Sequence, residues 1–426
     1  MVKHHKKPSP AQAAKLLTAQ NRKLFFERFR NLLKLITGND ELYLSIPQTI
    51  LEYLCDRRII ALQVEAAPGS IIDKKQLQFI KELIHLFSLK NTCEAGENGG
   101  TITISEYASA GLTFLHCEEL LVGRVFKNSN ELFARAKLFA ERQDLLNSGW
   151  RQMHNIIRSA FTVPSKQNDS LYWASVESAI VLSNGDYHIC YKVQINRHKQ
   201  EIIYITMGGN TRPAVRVGWS DFDGVTLCER DASVFGLPES HAKLPVYTQM
   251  HAINRMEERL DGTNIHLWHL FFYQSAKSGI VHKVSNNHYL IEYTYIDRKV
   301  GYLSAVVHEG MLVIRTFLFL TNNGTPEGKK LQELVGLQKQ DKKYLALDKI
   351  STFINHDLRT NETLRRLLIE AGCGVLLELT KEEVFGKEEE IDRVNVKTMM
   401  DYLMLRPVDA EAPPDFSDAL AGPRYR

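Results

Sequence analysis

The sequence predicts an α+β fold in a multidomain chain, with helices and antiparallel strands in different stretches. Apolar residues recur every three or four positions through most of the first 165 residues and again after residue 326. Between these regions, apolar and polar residues alternate along short segments separated by turns rich in Gly, Asn and Asp. The chain has 426 residues, a length that allows about two to four domains.

The N-terminal region 1–165 is expected to be mainly helical. It contains an amphipathic helix over 11–37, and nine Lys or Arg but a single acidic residue occur up to Lys34. Such a helix suits RNA or an acidic partner protein, or it docks on its own domain with a solvated basic face. Further helices are predicted over 74–89 and from residue 130 to about 149, with a short strand at 101–104.

The next region, 166–240, is predicted to be antiparallel β structure. The polar stretch 164–169 marks its start, and a hairpin turn at 183–186 separates strands 181–182 and 187–195. A strand over 201–207 then turns at Gly208 and Gly209 and returns over 214–219.

A helix-helix-β-meander module is predicted over 241–325, after a linker bracketed by Pro238 and Pro245. Its expected elements are helices 247–260 and 264–282, then strands 288–295, 301–308 and 311–320. The region 326–405 is predicted to be helical, with exposed lysines that include Lys339 and Lys342. A flexible tail over 406–426 completes the chain.

Composition excludes several classes of protein. The chain has 53 basic and 50 acidic residues, a balance that argues against a dedicated nucleic-acid coat or a membrane-surface protein. No apolar run reaches the roughly 18 residues of a membrane helix, so no membrane partner is expected. The six cysteines are scattered and the basic start lacks the apolar core of a signal peptide, which together favour a cytoplasmic protein with reduced thiols.

No cofactor or metal is predicted. The sequence has no glycine-rich phosphate loop, no dinucleotide-binding motif and no nucleophile elbow. His266 and His269 share a helix face, and Asp221 and Asp223 precede Gly224, but neither set has the further ligands that a metal site needs. A packed helix and a solvated loop are the favoured interpretations.

The most informative polar pattern lies on the helix that follows Pro245. Four residues fall at i, i+4, i+7 and i+8, and therefore on one stripe: His251, Arg255, Glu258 and Arg259. A stripe with a base, an acid and two guanidiniums suits phosphodiester chemistry, so all four are candidate catalytic residues. Arginines hold phosphate and stabilise a charged transition state, while histidine moves a proton. The alternative is an ordinary exposed face with charge pairs, above a buried side formed by Ile253, Met256 and Leu260.

This helix, the second helix and the strand segment Val313-Ile314-Arg315-Thr316 resemble small bacterial ribonuclease toxins of the BrnT-like and RelE-like group. The resemblance rests on the pattern His251-x-x-x-Arg255-Met256-x-x-Arg259 and covers 251–320, about a sixth of the chain. It implies a twisted antiparallel sheet on which His251, Arg255, Arg259 and Arg315 line an RNA-facing surface, in a bacterial protein.

Two functions therefore remain open. The first is a cytoplasmic interaction protein, a subunit of a larger assembly, that docks a partner protein through helix 11–37 and carries a module that contacts RNA. The alternative is a metal-independent endoribonuclease, a toxin or defence effector, that acts through His251 and nearby arginines.

RNA or a protein partner would contact basic residues in helix 11–37 and near the start of the region 326–405. The candidates are Lys15, Arg22, Lys23, Arg28, Arg30, Lys329 and Lys330. Four strand tyrosines could offer stacking faces to bases, or could belong to the core as aromatic strand residues usually do: Tyr289, Tyr293, Tyr295 and Tyr302.

Overall fold

The computed structural model describes residues 9–95, 100–116, 143–165, 170–183, 186–237, 243–261, 263, 265–354 and 359–380. These residues form helices together with mixed and antiparallel sheets, which confirms the predicted α+β class. The chain divides into two compact units. Unit 1 comprises Met1–Lys166, Ser170–Lys199 and Ser220–Thr226, and unit 2 comprises Gln167–Asp169, Gln200–Trp219 and Leu227–Arg426.

The described helices are numbered α1 to α13 in chain order. In unit 1 they are α1 Pro10–Thr37, α2 Glu41–Ser45, α3 Gln48–Asp56, α4 Lys74–Lys90, α5 Ile104–Glu106, α6 Leu112–His116 and α7 Gln143–Thr162. In unit 2 they are α8 Met250–Arg259, α9 Ile265–Ser278, α10 Pro326–Val335, α11 Lys339–Tyr344, α12 Ile350–Ile354 and α13 Glu362–Glu370. A π-helical stretch, Tyr107–Gly111, joins α5 to α6, and 3₁₀ turns cover Ala232–Phe235 and Gly374–Glu378.

The described strands are numbered in the same way. The first five are β1 Ile60–Ala66, β2 Thr92–Glu94, β3 Thr101–Thr103, β4 Ser170–Ser183 and β5 Asp186–Lys199. The next six are β6 Ile202–Met207, β7 Asn210–Arg216, β8 Gly218–Asp221, β9 Gly224–Leu227, β10 Glu229–Asp231 and β11 Lys243–Gln249. The last four are β12 Val281–Ser285, β13 His288–Tyr295, β14 Arg298–His308 and β15 Met311–Phe319.

Unit 1 is organised around the amphipathic helix α1, whose predicted apolar stripe faces inward. Phe25, Phe29, Leu32 and Leu33 are buried in the core of the unit, because their three- and four-residue spacing places them on one helix face. Strands β4 and β5 form a long antiparallel hairpin, and β1 pairs with β5 in parallel. Strand β1 lies in a region predicted to be mainly helical and was not predicted itself, because its pairing with a strand far along the chain sets its conformation.

Unit 2 is built on a sheet in which seven strands lie in the order β12-β13-β14-β15-β11-β7-β6, and β10 also pairs with β11. Neighbouring strands are antiparallel, except that β11 and β15 are parallel. Side chains from the sheet and from α8, α9, α10, α12 and α13 share one large apolar core. The predicted meander of β13, β14 and β15 is confirmed, and its hairpin turns have the positive φ angles of Ile296, Asp297, Glu309 and Gly310.

The predicted linker before this module is wrong at Pro245, which lies within β11. Tyr247 also belongs to β11, so the helix begins at Met250 instead. The second helix ends at Ser278, and His282 lies on β12, a strand that the sequence pattern did not indicate. In each case pairing with a neighbouring strand overrides the local pattern.

The two units divide the chain differently from the predicted regions. Strands β4 and β5 belong to unit 1, whereas β6 and β7 belong to unit 2, so the predicted β region 166–240 is shared between them. Several predicted features lie outside the described residues, namely the helix before residue 143, the loop 238–242, the helix after Thr380 and the tail 406–426. Among the described helices, none is both long and apolar enough to cross a membrane.

Candidate functional site

Helix α8 presents a polar stripe on the side opposite its core-facing residues. Ala252, Ile253 and Met256 pack into the core of unit 2, which leaves the i, i+4, i+8 row of His251, Arg255 and Arg259 on the other side. This row lines a cleft of about 620 Å³ in unit 2. The buried side predicted for the helix is thus present together with the predicted polar stripe.

The cleft is strongly cationic. Its lining includes four arginines, one lysine and two histidines, which are Arg212, Arg255, Arg259, Arg315, Lys339, His251 and His288. No aspartate or glutamate is found among the described residues that line it. The structure therefore brings together His251, Arg255, Arg259 and Arg315, which the sequence had grouped through the helix stripe and the toxin resemblance.

The order of the strands explains why residues from distant segments meet here. Gln249 on β11 lies opposite Ala214 on β7, and Tyr247 lies opposite Val313 on β15. Side chains two positions apart on a strand share a face. Arg212, Gln249 and Arg315 are therefore neighbours on the same face of the sheet, beside the start of α8.

Two of the cleft arginines are already neutralised by carboxylates. Arg259 forms an ion pair with Asp348, and both side chains are nearly buried, with exposed fractions of 12% and 9%. Arg255 forms a pair with Glu258 in an exposed position. Glu258, a predicted catalytic residue, is therefore placed beside Arg255 and is not among the residues that line the cleft.

The remaining cations are available to a ligand. Arg212, Arg315 and Lys339 have exposed side chains, and no Asp or Glu lies beside them among the described residues that line the cleft. An anion that entered the cleft would therefore meet three uncompensated positive charges.

His251 is held largely in its neutral form. Burial lowers the pKa of His251 below its usual value, and the positive charges of Arg255 and Arg212 lower this pKa further. Glu258 acts in the opposite direction. A neutral imidazole at pH 7 can accept a proton, which is the requirement for a general base.

A second histidine in the cleft was not identified from the sequence. His288 Nε2 lies 2.9 Å from Ser304 Oγ, and both residues line the cleft. Burial lowers the pKa of His288, and the charge of Arg315 acts in the same direction. The alternation of residues along β13 and β14 shows which side chains share a face of the sheet. It does not show that His288 faces a cleft, because the cleft depends on the order of all the strands.

One wall of the cleft is a loop held by a buried lysine. Lys342 is 2% exposed, and its Nζ donates hydrogen bonds to Thr321 O at 2.9 Å, to Gly328 O at 2.7 Å and to Asn323 Oδ1. Burial lowers the pKa of Lys342 to about 8. The prediction that Lys342 is exposed is wrong, because the amphipathic pattern does not show that this loop folds over it.

The basic residues predicted on α1 are largely committed to contacts within unit 1. Arg22 donates to Asp56 at 2.9 Å, and Arg30 donates to both carboxylate oxygens of Asp40 at 3.1 and 2.9 Å. Arg28 donates to the Ser109 hydroxyl at 3.3 Å. The pattern of α1 is therefore that of a docking helix whose arginines fasten it to its own unit.

The predicted binding lysines whose side chains are described do not line the cleft. Lys23 is highly exposed and lies 3.8 Å from Glu27, and only the backbone of Lys15 is described. Lys329 and Lys330 are exposed on α10, but the lysine that lines the cleft is Lys339.

The strand tyrosines do not provide stacking surfaces. Tyr289, Tyr293, Tyr295 and Tyr302 are at most 2% exposed and belong to the core of unit 2. Tyr293 donates to Trp268 O, and Tyr289 donates to Phe235 O. The prediction that they stack on bases is wrong, because their positions along β13 and β14 face the packed helices.

The described residues include no group of three or more His, Cys, Asp or Glu that could hold a metal ion. His269 is buried in α9, whereas only the backbone of His266 is described. Asp221 accepts hydrogen bonds from Arg158, the shorter at 2.9 Å.

The chain matches no protein-family model, no curated protein and no solved structure. The resemblance to ribonuclease toxins therefore stays a prediction, and the function is argued from the cleft itself.

Proposed function

We propose that unit 2 binds the phosphate backbone of single-stranded RNA in the cationic cleft. The observation that carries this proposal is the set of three exposed cations in the cleft, Arg212, Arg315 and Lys339, in a lining that contains no carboxylate among the described residues. Arginine forks match phosphate oxygens in a bidentate manner, and cation clusters supply most of the affinity in nucleic-acid binding.

A chain of phosphates fits this site better than one isolated phosphate. The cations come from β7, α8, β15 and α11, so they surround an extended volume. The lining also offers the side-chain amides of Gln249, Asn322 and Asn323. Amides can hydrogen-bond to the edges of unpaired bases, which are accessible in single strands.

Binding is tested by fluorescence anisotropy of a labelled single-stranded RNA at several salt concentrations. R315Q and R212Q should each weaken binding and reduce the slope of log K against log salt by about 0.7 for each phosphate that the variant no longer binds. R366Q, which changes an exposed arginine on α13 away from the cleft, is the matched control. Equal affinity of wild type, R315Q and R212Q would refute the proposal.

A second candidate function is metal-independent RNA cleavage, and the position of His251 in the same cleft as Arg212 and Arg315 is the observation that favours it. The lowered pKa of His251 suits a general base. His251 would take the proton of the 2′-hydroxyl, and the cleft arginines would stabilise the charge that develops on the phosphate. Cleavage should persist in EDTA, stop in H251A and fail on RNA with 2′-O-methyl groups. Cleavage of that modified RNA by the H251A protein would exclude this mechanism.

We also propose a cytoplasmic location, since the five described cysteines are buried free thiols. A protein partner stays a prediction. The apolar stripe of α1 is buried within unit 1, so a partner would have to contact another surface. A pull-down that compares the full chain with its R315Q and R212Q variants would separate protein partners from partners bridged by RNA.

A further inference from the structure

We propose that Ser304 and His288 form a nucleophile and general-base pair that hydrolyses phosphodiesters through a phosphoserine intermediate. The proposal rests on the proposed function, because it requires that the cleft bind a phosphodiester. It differs from the ribonuclease mechanism in the attacking group, which is a protein hydroxyl and not the 2′-hydroxyl of RNA.

The geometry of the sheet places the two residues together. Ser304 on β14 lies opposite Leu290 on β13, so His288 is its diagonal neighbour on the same face. His288 Nε2 and Ser304 Oγ are 2.9 Å apart, which is a hydrogen-bonding distance and suits proton transfer. Ser304 is 7% exposed, and that exposed part belongs to the cleft lining.

The surroundings fit this chemistry. The same cleft holds Arg212 and Arg315, the two exposed arginines with no acidic residue beside them among the described residues of the lining, which would hold the phosphate against Ser304 and stabilise its transition state. Burial and Arg315 keep the pKa of His288 below its usual value, so the imidazole is free to accept the serine proton at pH 7. A serine–histidine contact that served only to join two strands would require no such cluster of arginines.

The reaction balances with water as the only co-substrate. Ser304 Oγ attacks phosphorus while its proton passes to His288 Nε2, and the P–O bond opposite Oγ breaks. The covalent intermediate is a phosphodiester of Ser304 that still carries the second ester group. A water molecule attacks its phosphorus from the vacated side and gives its proton to the leaving oxygen, or to the solvent when the group leaves as 4-nitrophenolate. The P–Oγ bond then breaks, and Oγ recovers its proton from His288. The products are an alcohol and a phosphomonoester.

The substrate class follows from the attacking group. Because the enzyme supplies the hydroxyl, esters without a 2′-hydroxyl are also cleaved, including single-stranded DNA and bis(4-nitrophenyl) phosphate. The 2′-hydroxyl mechanism assigned to His251 cleaves neither compound, so these substrates separate the two.

The test uses the full-length protein with bis(4-nitrophenyl) phosphate and EDTA. Wild type should release 4-nitrophenolate, and S304A and H288A should each reduce the rate about 100-fold or more. The control S278A changes a serine on α9 that donates to Gln274 O, outside the cleft, and should retain the wild-type rate. S304A should still bind 2′-O-methyl RNA, which measures the proposed RNA-binding function separately.

A second measurement needs no variant. Acid quench of wild type during turnover of bis(4-nitrophenyl) phosphate, followed by digestion and mass spectrometry, should find a 4-nitrophenyl phosphoryl group on the peptide that contains Ser304. Absence of this phosphopeptide, or full hydrolysis by S304A, would overturn the proposal. If hydrolysis fails this test but 2′-O-methyl RNA still binds, the proposed RNA-binding function stands. If the wild-type protein binds no RNA, both the RNA-binding function and the Ser304 mechanism are overturned.

Discussion

Replacement of Lys342 by methionine tests how the loop wall of the cleft is held. The substitution removes the donor of three hydrogen bonds, to Thr321 O, Gly328 O and Asn323 Oδ1. Each buried acceptor left unsatisfied costs about 1–3 kcal/mol, or roughly 6 kcal/mol for three. Methionine also relieves the burial of a charge, and the shift of the Lys342 pKa from 10.5 to about 8 corresponds to roughly 3 kcal/mol. The net expectation is a loss of about 3 kcal/mol in the free energy of unfolding at pH 7.

The same residue predicts a pH dependence with a definite sign. The pKa of Lys342 is lower in the folded chain, about 8, than its ordinary value of 10.5. Between these pH values the unfolded chain binds one more proton than the folded chain, so wild-type stability rises with pH relative to K342M. The stability difference between the two proteins should therefore widen between pH 8 and pH 10.5, by up to roughly 3 kcal/mol.

Urea unfolding of the full chain at pH 7, 8, 9 and 10 measures both effects. Hydrogen exchange of the peptide 319–331 reports on the loop directly and should be faster in K342M. K343M alters the exposed neighbouring lysine and should match wild type at every pH. The reasoning is refuted if K342M is as stable as wild type at pH 7, or if the difference shrinks as pH rises.

Three further predictions concern other contacts. Asp348→Ala leaves the Arg259 guanidinium buried without its partner and should cost about 3–5 kcal/mol of stability. Glu258→Gln, beside the exposed Arg255, should cost less than about 1 kcal/mol, and equal urea midpoints for the two variants would contradict this. Phe29→Ala removes a fully buried side chain of α1 and should lower the free energy of unfolding by about 3–5 kcal/mol. The control Lys23→Gln should leave the thermal midpoint unchanged. An F29A protein as stable as wild type would show that α1 is not a core element. Arg255→Gln removes a neighbouring charge that lowers the pKa of His251, so this pKa should rise in an NMR titration, and an unchanged value would contradict the electrostatic account.

The sequence predicted those parts of the molecule that depend on local periodicity. The apolar stripe of α1 and the polar stripe of His251, Arg255 and Arg259 follow from helix geometry, and each lies where that geometry places it. Hairpins such as β13–β14 and β14–β15 can be predicted from the sequence, because their strands and the turn between them are adjacent in the chain.

The parts that were missed depend on pairing between distant segments. Strand β11 lies between β7 and β15, and its sequence, with Pro245 inside it, does not identify its neighbours. Arg212 and His288 reach the cleft only through this order of strands. The burial of Lys342 likewise depends on a loop that meets α11 from another part of the chain, and composition alone favours an exposed lysine.

The parallel pairing of β11 with β15 has a consequence for the time course of folding. The β6–β7 hairpin and the β13–β14–β15 meander each need only neighbouring residues and can form early. The junction of β11 with β15 must close a segment that includes α8, α9 and three strands, and closure of such long loops is slow. Arg212 and Arg315 lie on opposite sides of that junction. We therefore expect the cationic cleft of unit 2 to form only after this junction closes. The proposed RNA binding would then recover later during refolding than the strand content.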